Sequence, residues 1–299
     1  MTPKTFDSFL AKPLVFSFTT ALFLQSNLAM ANVAPEERLF KVDLTLESSQ
    51  YRAAKISDSS GKLGAEHSKV SVGNFLVTAS YEHYQFQNDE IQSSDLHYPI
   101  HQLHEVKLET KLPYPLKKDW LLVGGLQLIN AYEKQFSKDF TVQGFGLVSH
   151  QVKPLLSWQL GGYVSYHPVE TQILPIMVLT YNYQSPEHRG FYGHLGFPKT
   201  QIGYHFTPKL RSDIGAIYQE VTGQLAENNL VAAKGYFQLT SWRAEWATYY
   251  DWSKKLAIKL ALKMTFDNEI DVFSNQYQKQ KNLTLGNESG FGAGLIYHF

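Results

Sequence analysis

The stretch KLAIKLALKMTF, residues 255–266, alternates along its whole length. Leu256, Ile258, Leu260, Leu262, Met264 and Phe266 fall on one face, and Ala257, Lys259, Ala261, Lys263 and Thr265 on the other. A helix would scatter these apolar residues all round its axis, so period two, the mark of a strand, fits best. Strands of soluble sheets are typically about 5–6 residues long. A tilted strand that crosses a bilayer takes about 9–11. The stretch matches the second length.

The same alternation returns in FKVDLTLE (40–47), EVKLETKL (105–112) and WLLVGGLQL (120–128). Further strands are expected over 140–151, 156–166, 172–183, 191–197, 201–206, 210–221 and 231–252, and the GFGAGLIYHF ending (290–299) reads as one more. Residues 191–206 fit either one long bulged strand or two short ones meeting at Pro198-Lys199-Thr200. Short turn signals stand at Leu116–Asp119, Lys153-Pro154, Thr207–Lys209 and Ser253–Lys255, and longer polar ones at 52–66, 87–101, 222–230 and 267–288. Short turns on one side and long loops on the other is the asymmetry of an outer-membrane barrel. Trp242, Trp246, Tyr249, Tyr250 and Trp252 cluster before one turn and suit an interfacial girdle. The fold class expected is all-β, a transmembrane antiparallel β-barrel of about 12 strands, with 10 to 14 open.

The amino terminus agrees with an exported protein. Lys4 and Lys12, an apolar run from Leu14 to Leu24 and the small-x-small motif Ala29-Met30-Ala31 form a secretory signal peptide over 1–31, cleaved after Ala31. Residues 32–299 then form the barrel. The apolar run is shorter than the roughly 20 residues of a membrane helix. The chain has no cysteine, which removes disulfides and thiolate metal sites. Its 27 basic and 27 acidic side chains balance, and a nucleic-acid partner is not expected.

Phe299, Tyr297 and Gly294 stand at the spacing of the carboxy-terminal signal read by the barrel-assembly machinery of Gram-negative bacteria. The ending resembles that signal. ILPIMVLTYNY and GFYGHLGFPKTQIGYHF, within 120–225, resemble a family of outer-membrane barrels that has a Leu-Pro-Ile strand, then a strand ending in Phe-Pro, then a Tyr-containing strand. The resemblance implies architecture and carries no activity. It implies localisation in the cell outer membrane of a Gram-negative bacterium. The partners expected are outer-membrane lipid, lipopolysaccharide and, during biogenesis, the assembly machinery.

By alternation the lumen receives Lys41, Asp43, Glu47, Lys107, Glu109, Lys111, Arg243, Glu245, Asp251, Lys259 and Lys263. Their signs nearly balance, so no single-sign selectivity ring is expected. His97, His101 and His104 lie close together with Asp95 and Glu105, a donor set that suits Zn²⁺ or Cu²⁺. Pro99 interrupts the helix that would align the three, and in a strand His101 and His104 point to opposite faces. No metal site and no cofactor are therefore expected. Ser149-His150 and His67-Ser68 are neighbours that a strand would place on opposite faces, and no Gly-x-Ser-x-Gly or His-Glu-x-x-His motif occurs. A passive role follows, as a narrow channel for small solutes or a structural barrel. The alternatives are a barrel hydrolase acting on lipid or peptide, and a binding protein that works through its loops.

Overall fold

The computed structural model describes residues 41–56, 62–89, 100–183 and 189–299. The leader expected over 1–31 lies outside them. The described chain is antiparallel sheet: β1 (Asp43–Lys55), β2 (Lys62–Gly73), β3 (Val77–Asp89), β4 (Gln102–Lys117), β5 (Trp120–Tyr132), β6 (Thr141–Lys153), β7 (Leu156–His167), β8 (Glu170–Asn182), β9 (Gly190–Phe197), β10 (Lys199–Thr207), β11 (Leu210–Gln224), β12 (Tyr236–Asp251), β13 (Leu256–Phe273), β14 (Lys279–Leu285) and β15 (Glu288–His298). From β1 to β14 each strand pairs with the next. β15 pairs with both β1 and β13 and so closes the ring.

The ring has 14 wall positions, because β14 and β15 share one. The lower part of β13 pairs with β15 up to Thr265↔Glu288, and its upper part pairs with β14 from Asn268↔Leu285. This count lies within the range of 10 to 14 but exceeds the expected 12. The two extra strands are β2 and β3, whose outer faces carry polar residues among the apolar ones. Around Pro198 the chain makes two short strands, β9 and β10.

Alternation sets the two faces. Leu260 and Leu262 are 62% and 57% exposed on the outside, whereas Lys259 and Lys263 are 6% and 5% exposed inside. Val70, Leu108, Leu126, Ile173, Met177, Ile214 and Phe291 extend the same exposed apolar belt around the wall. A continuous apolar outside over a charged inside is the pattern of a barrel solvated by lipid. Trp246, Tyr250 and Trp252 stand outward near one rim, as a girdle requires. Tyr249 and Trp242 do not. Tyr249 lines the lumen, and Trp242 packs on Tyr218 with ring centroids 5.3 Å apart.

The turns after β2, β4, β6, β10 and β12 lie at the end where β1 starts and β15 finishes. We call this the turn end and the opposite one the loop end. The asymmetry is partial, since the β7–β8 connection at the loop end is also tight. Most of the polar stretch 267–288 is not a loop. β13 and β14 extend through it as a hairpin, held by Lys279 Nζ–Asp271 at 2.6 Å. Similarly, β1 and β2 take up much of 52–66.

One departure from a simple barrel shapes the interior. β9 and β10 are only 8 and 9 residues long, against 16 for β12 and 18 for β13. Among the described residues, β11 has no strand partner on the β10 side above Ile217. It leans across the lumen and meets β5, with Gln224 paired to Tyr132 and the Glu133 amide donating to the Gln224 carbonyl at 2.9 Å. The loop half of the lumen is thereby split. On one side of the split, Tyr218 joins Val123, Phe145, Leu147, Tyr163, Leu174 and Ile176 in an apolar core. Phe197 packs against this core instead of continuing the outer row with Phe191 and Leu195. Above the core, the Gln238 amide donates to Glu220 at 2.5 Å and to Glu170 at 3.0 Å.

Candidate solute chamber in the lumen

On the other side of the split, the lumen holds a polar cavity of about 630 Å³. It begins at the turn end, where Lys41, Asp43, Asn74, Phe75 and His298 line it, and it runs inward to His67, Gln219 and Arg243. Eight cationic side chains and five carboxylates line it. The cations are Lys41, Lys69, Lys111, Lys199, Arg211, Arg243, Lys259 and Lys263, and the carboxylates are Asp43, Glu47, Glu82, Asp213 and Glu245. The chamber is less balanced than the expected lumen set, because Lys69, Lys199 and Arg211 join with Glu82 and Asp213, while Lys107, Glu109 and Asp251 do not line it. Lys199 and Arg211 have their places in the alternation of β10 and β11, and Lys69 belongs to a strand that the sequence hid.

The charges are grouped by strand register. Lys259 on β13 and Glu47 on β1 sit either side of Gly294 on β15. Their side chains meet over this glycine at 3.2 Å, and Lys259 also reaches Glu245 at 2.8 Å. A Cβ at position 294 would come within 3.0 Å of the Glu47 Cγ, so the bare backbone leaves room for the bridge. Lys263 donates to Ser49 Oγ at 2.6 Å and lies 3.5 Å from Glu245. Two lysines and two carboxylates therefore form one network across four wall positions. Buried charges need such partners, because an unpaired one costs several kcal/mol of desolvation.

A second network lies on β2 and β3. Glu82 accepts from Lys69 at 2.8 Å and faces His67 Nε2 at 3.1 Å. Tyr84 donates to the same carboxylate at 3.2 Å and stacks on His67 with centroids 4.3 Å apart. Next to it, Lys107 pairs with Glu105 at 2.6 Å and Lys111 with Glu109 at 3.1 Å. Arg211 lies over the Tyr249 ring at 4.3 Å, a cation–π contact. Lys107, Glu109, Lys111, Arg243, Glu245, Lys259 and Lys263 thus all point inward. Lys107 and Glu109 sit behind the chamber lining, and the other five line it or pair along it.

Among the described residues, the cavity does not continue to the loop end. Ile56, Leu63, Tyr84, Ile100, Leu103, Val221, Leu225, Phe237, Ile270, Val272, Leu283 and Leu285 pack into an apolar plug above it, with Val231 and Ala232 against them. Two loop segments contribute: Ile100, and Leu225 with Val231 and Ala232. The second loop is latched by Glu133, whose carboxylate accepts from the Ala226 amide at 2.9 Å and from Asn229 at 3.0 Å. Lys234 lies 2.7 Å from Glu227 on the same loop, and its hydrogen bond and charge hold that carboxyl below the usual range.

Two of the three clustered histidines are described. His97 lies outside the described residues. His101 is exposed at the loop end, while His104 stacks on His83 at 4.7 Å and on Tyr132 at 5.2 Å and meets the Tyr81 hydroxyl at 2.8 Å. Ser149 faces inward, whereas His150 leans on the Trp120 ring at 4.2 Å. Gly294 faces the lumen, and Tyr297 and Phe299 meet edge to face at 4.9 Å, with Phe299 65% exposed.

No family model matches the chain. No curated protein matches it either. Among solved structures it is similar to the KdgM porin, at 10% identity and a TM-score of 0.38 over 86% of this chain and 99% of that one. An outer-membrane channel of Pseudomonas putida matches at 9% identity and a TM-score of 0.43, over 89% and 100% of the two chains. The toluene transporter TodX of the same organism matches at 9% and 0.36, over 95% of each. Likenesses this distant carry no solute and no mechanism to this chain, and the architecture rests on its own strand register.

Proposed function

We propose that this barrel lies in the outer membrane of a Gram-negative bacterium, turn end toward the periplasm, and gives small solutes a narrow passive route. Among the described residues the apolar plug shuts it at the loop end. The observation that carries the reading is the chamber itself. A barrel needed only as a wall gains nothing from a cavity of about 630 Å³ lined by charge. The apolar belt supplies the lipid contact, and the tight turns support a periplasmic turn end. Passage requires the 225–235 loop to lift away from the plug, and Glu133 is the contact that resists this. Tyr297 and Phe299, outward at the periplasmic rim, are the residues offered to the assembly machinery.

The plug favours a second reading, a structural barrel whose lumen is permanently closed. Single-channel recording separates the two. The refolded wild type is expected to open briefly and seldom in a planar bilayer, and Glu133→Ala to open more often and for longer. If both fold and both stay silent, the structural reading replaces the channel.

A further inference from the structure

Three buried polar atoms near the inner end of the chamber have no hydrogen-bond partner among the described residues: Tyr51 Oη, His67 Nδ1 and Arg243 Nε. They belong to one neighbourhood. The Arg243 guanidinium lies 6.0 Å from the Tyr51 ring centroid and beside the Tyr84 hydroxyl, and Tyr84 stacks on His67. His67 and Arg243 both line the cavity. Orphaned polar atoms in one place are costly, and a ligand with matching groups removes the cost.

The local charge says which ligand. Arg243 has no carboxylate within 4.0 Å among the described residues, and neither has Lys199. The nearby carboxylates are engaged elsewhere: Glu82 by Lys69 and His67, Glu245 by Lys259 and Lys263, Asp213 by the Tyr192 hydroxyl at 2.8 Å, and Glu288, which faces Arg243 at longer range, by the Thr265 hydroxyl at 3.3 Å. Lys199 and Arg243 are both paired across from Ile217, one strand to either side. Neighbouring strands lie about 4.8 Å apart, so the two backbones are roughly 10 Å apart, within the joint reach of two long cations. His67 directs Nε2 at Glu82, which leaves Nδ1 turned away from that carboxylate.

We propose that the inner end of the chamber binds a small oxyanion, a carboxylate or phosphate group on a solute. The planar Arg243 fork makes the main contact and Lys199 supplies the second charge, both from the chamber lining. The Arg243 Nε–H is unpartnered while the side chain also hydrogen-bonds Tyr84, and a guanidinium suits an oxyanion because it can meet two oxygens in one plane. His67 Nδ1 accepts a hydroxyl from the rest of the solute. The inference deepens the solute-route reading and rests on it for its biological sense, though the binding itself does not require conduction.

The test is calorimetric titration of inorganic phosphate into the refolded barrel in detergent micelles. Folding is checked by the heat-sensitive gel mobility of barrels. The wild type is expected to bind phosphate, and Arg243→Gln to bind it about tenfold more weakly or worse. Lys199→Gln is expected to lose affinity in the same direction and provides the answer if Arg243→Gln does not fold. Lys254→Gln, in the exposed turn before β13, should leave binding unchanged. In planar bilayers, the wild-type reversal potential in a potassium chloride gradient should show anion preference, reduced in Lys199→Gln. Phosphate bound by a barrel that never conducts would uphold the site and end the channel reading. Conduction without phosphate binding or anion preference would uphold the channel and overturn the site. Equal binding by all variants would place the anion elsewhere on the surface and also overturn it.

Discussion

The two halves of the lumen solve one packing problem in opposite ways. At the loop end, inward positions carry Ile56, Leu63, Leu103, Phe237, Ile270 and Val272, which exclude water and need no partners. At the turn end, equivalent positions carry Glu47, Lys69, Glu82, Glu245, Lys259 and Lys263, which satisfy one another and leave a cavity. The plug holds by area and fit, the chamber by charge pairing. A plug of this kind opens only when packed side chains are withdrawn. A chamber of this kind is already wet, and its spare cations can turn to a solute. One continuous wall thus holds a seal and a binding space simply by changing the residue type at inward positions.

The halves should therefore respond differently to mutation and to salt. The largest effect is expected for Phe237→Ala, since Phe237 is 0% exposed inside the plug. Truncating so large a core side chain costs about 3–5 kcal/mol. Urea unfolding from lipid vesicles should show this loss, unchanged between low and high salt. A cost below about 1 kcal/mol would mean that the plug is not a packed core.

Gly294→Leu comes next. Its Cβ would press on Glu47 Cγ and on the Leu46 carbonyl oxygen, both 3.0 Å away, and force the Lys259–Glu47 bridge apart. Overpacking of this kind costs typically about 1–3 kcal/mol. Unfolding of this variant read alongside Gly292→Leu, which would crowd Ser49 Oγ at 2.6 Å, tests whether the glycine row serves the ion network. No destabilisation in either would remove that role.

The smallest effect is expected for Glu47→Gln. It leaves Lys259 and Lys263 with Glu245 alone, in a chamber that water reaches. A coupling energy of about 0.5–3 kcal/mol between Glu47 and Lys259 should emerge from a double-mutant cycle and shrink as salt rises. A coupling insensitive to salt would place the network in a dry interior and erase the contrast with the plug.

Much of this wall was legible in the sequence. β13 shows why: over 255–266 its outer face meets lipid and its inner face meets charge, so the alternation is clean. The same holds for β4, where Glu105, Lys107, Glu109 and Lys111 oppose Val106 and Leu108. β2 and β3 were hidden because Glu66, Ser68, Gln85 and Gln87 stand on their outer faces, and polar residues on both faces erase the period. The His67–Glu82–Lys69 network was lost with them. The hairpin over 267–288 was hidden likewise, by Asn268, Asp271, Gln278 and Lys281 near its ends.

The inward lean of β11 does leave a signal in the sequence. ILPIMVL on β8 is apolar on both faces, with Leu174, Ile176 and Val178 inside and Ile173, Met177 and Leu179 outside. A strand apolar on both sides has an apolar partner inside as well as lipid outside. Here that partner is Tyr218 on the displaced β11. The plug could not have been read in advance, since Ile56, Ile100 and Leu225 are single apolar residues in polar surroundings and only the closure of the barrel brings them together.

The most direct measurement uses the absence of native cysteine. Thr45→Cys places a thiol in the chamber lining, and Val272→Cys places one in the plug, where the native side chain is 0% exposed. Both variants are refolded into vesicles and treated with a charged, membrane-impermeant thiol reagent added from either side. The thiol at position 45 should react from the turn-end side only, and the thiol at position 272 should stay protected from both sides. Fast labelling of both positions, or of neither, would contradict a wet chamber sealed by a dry plug.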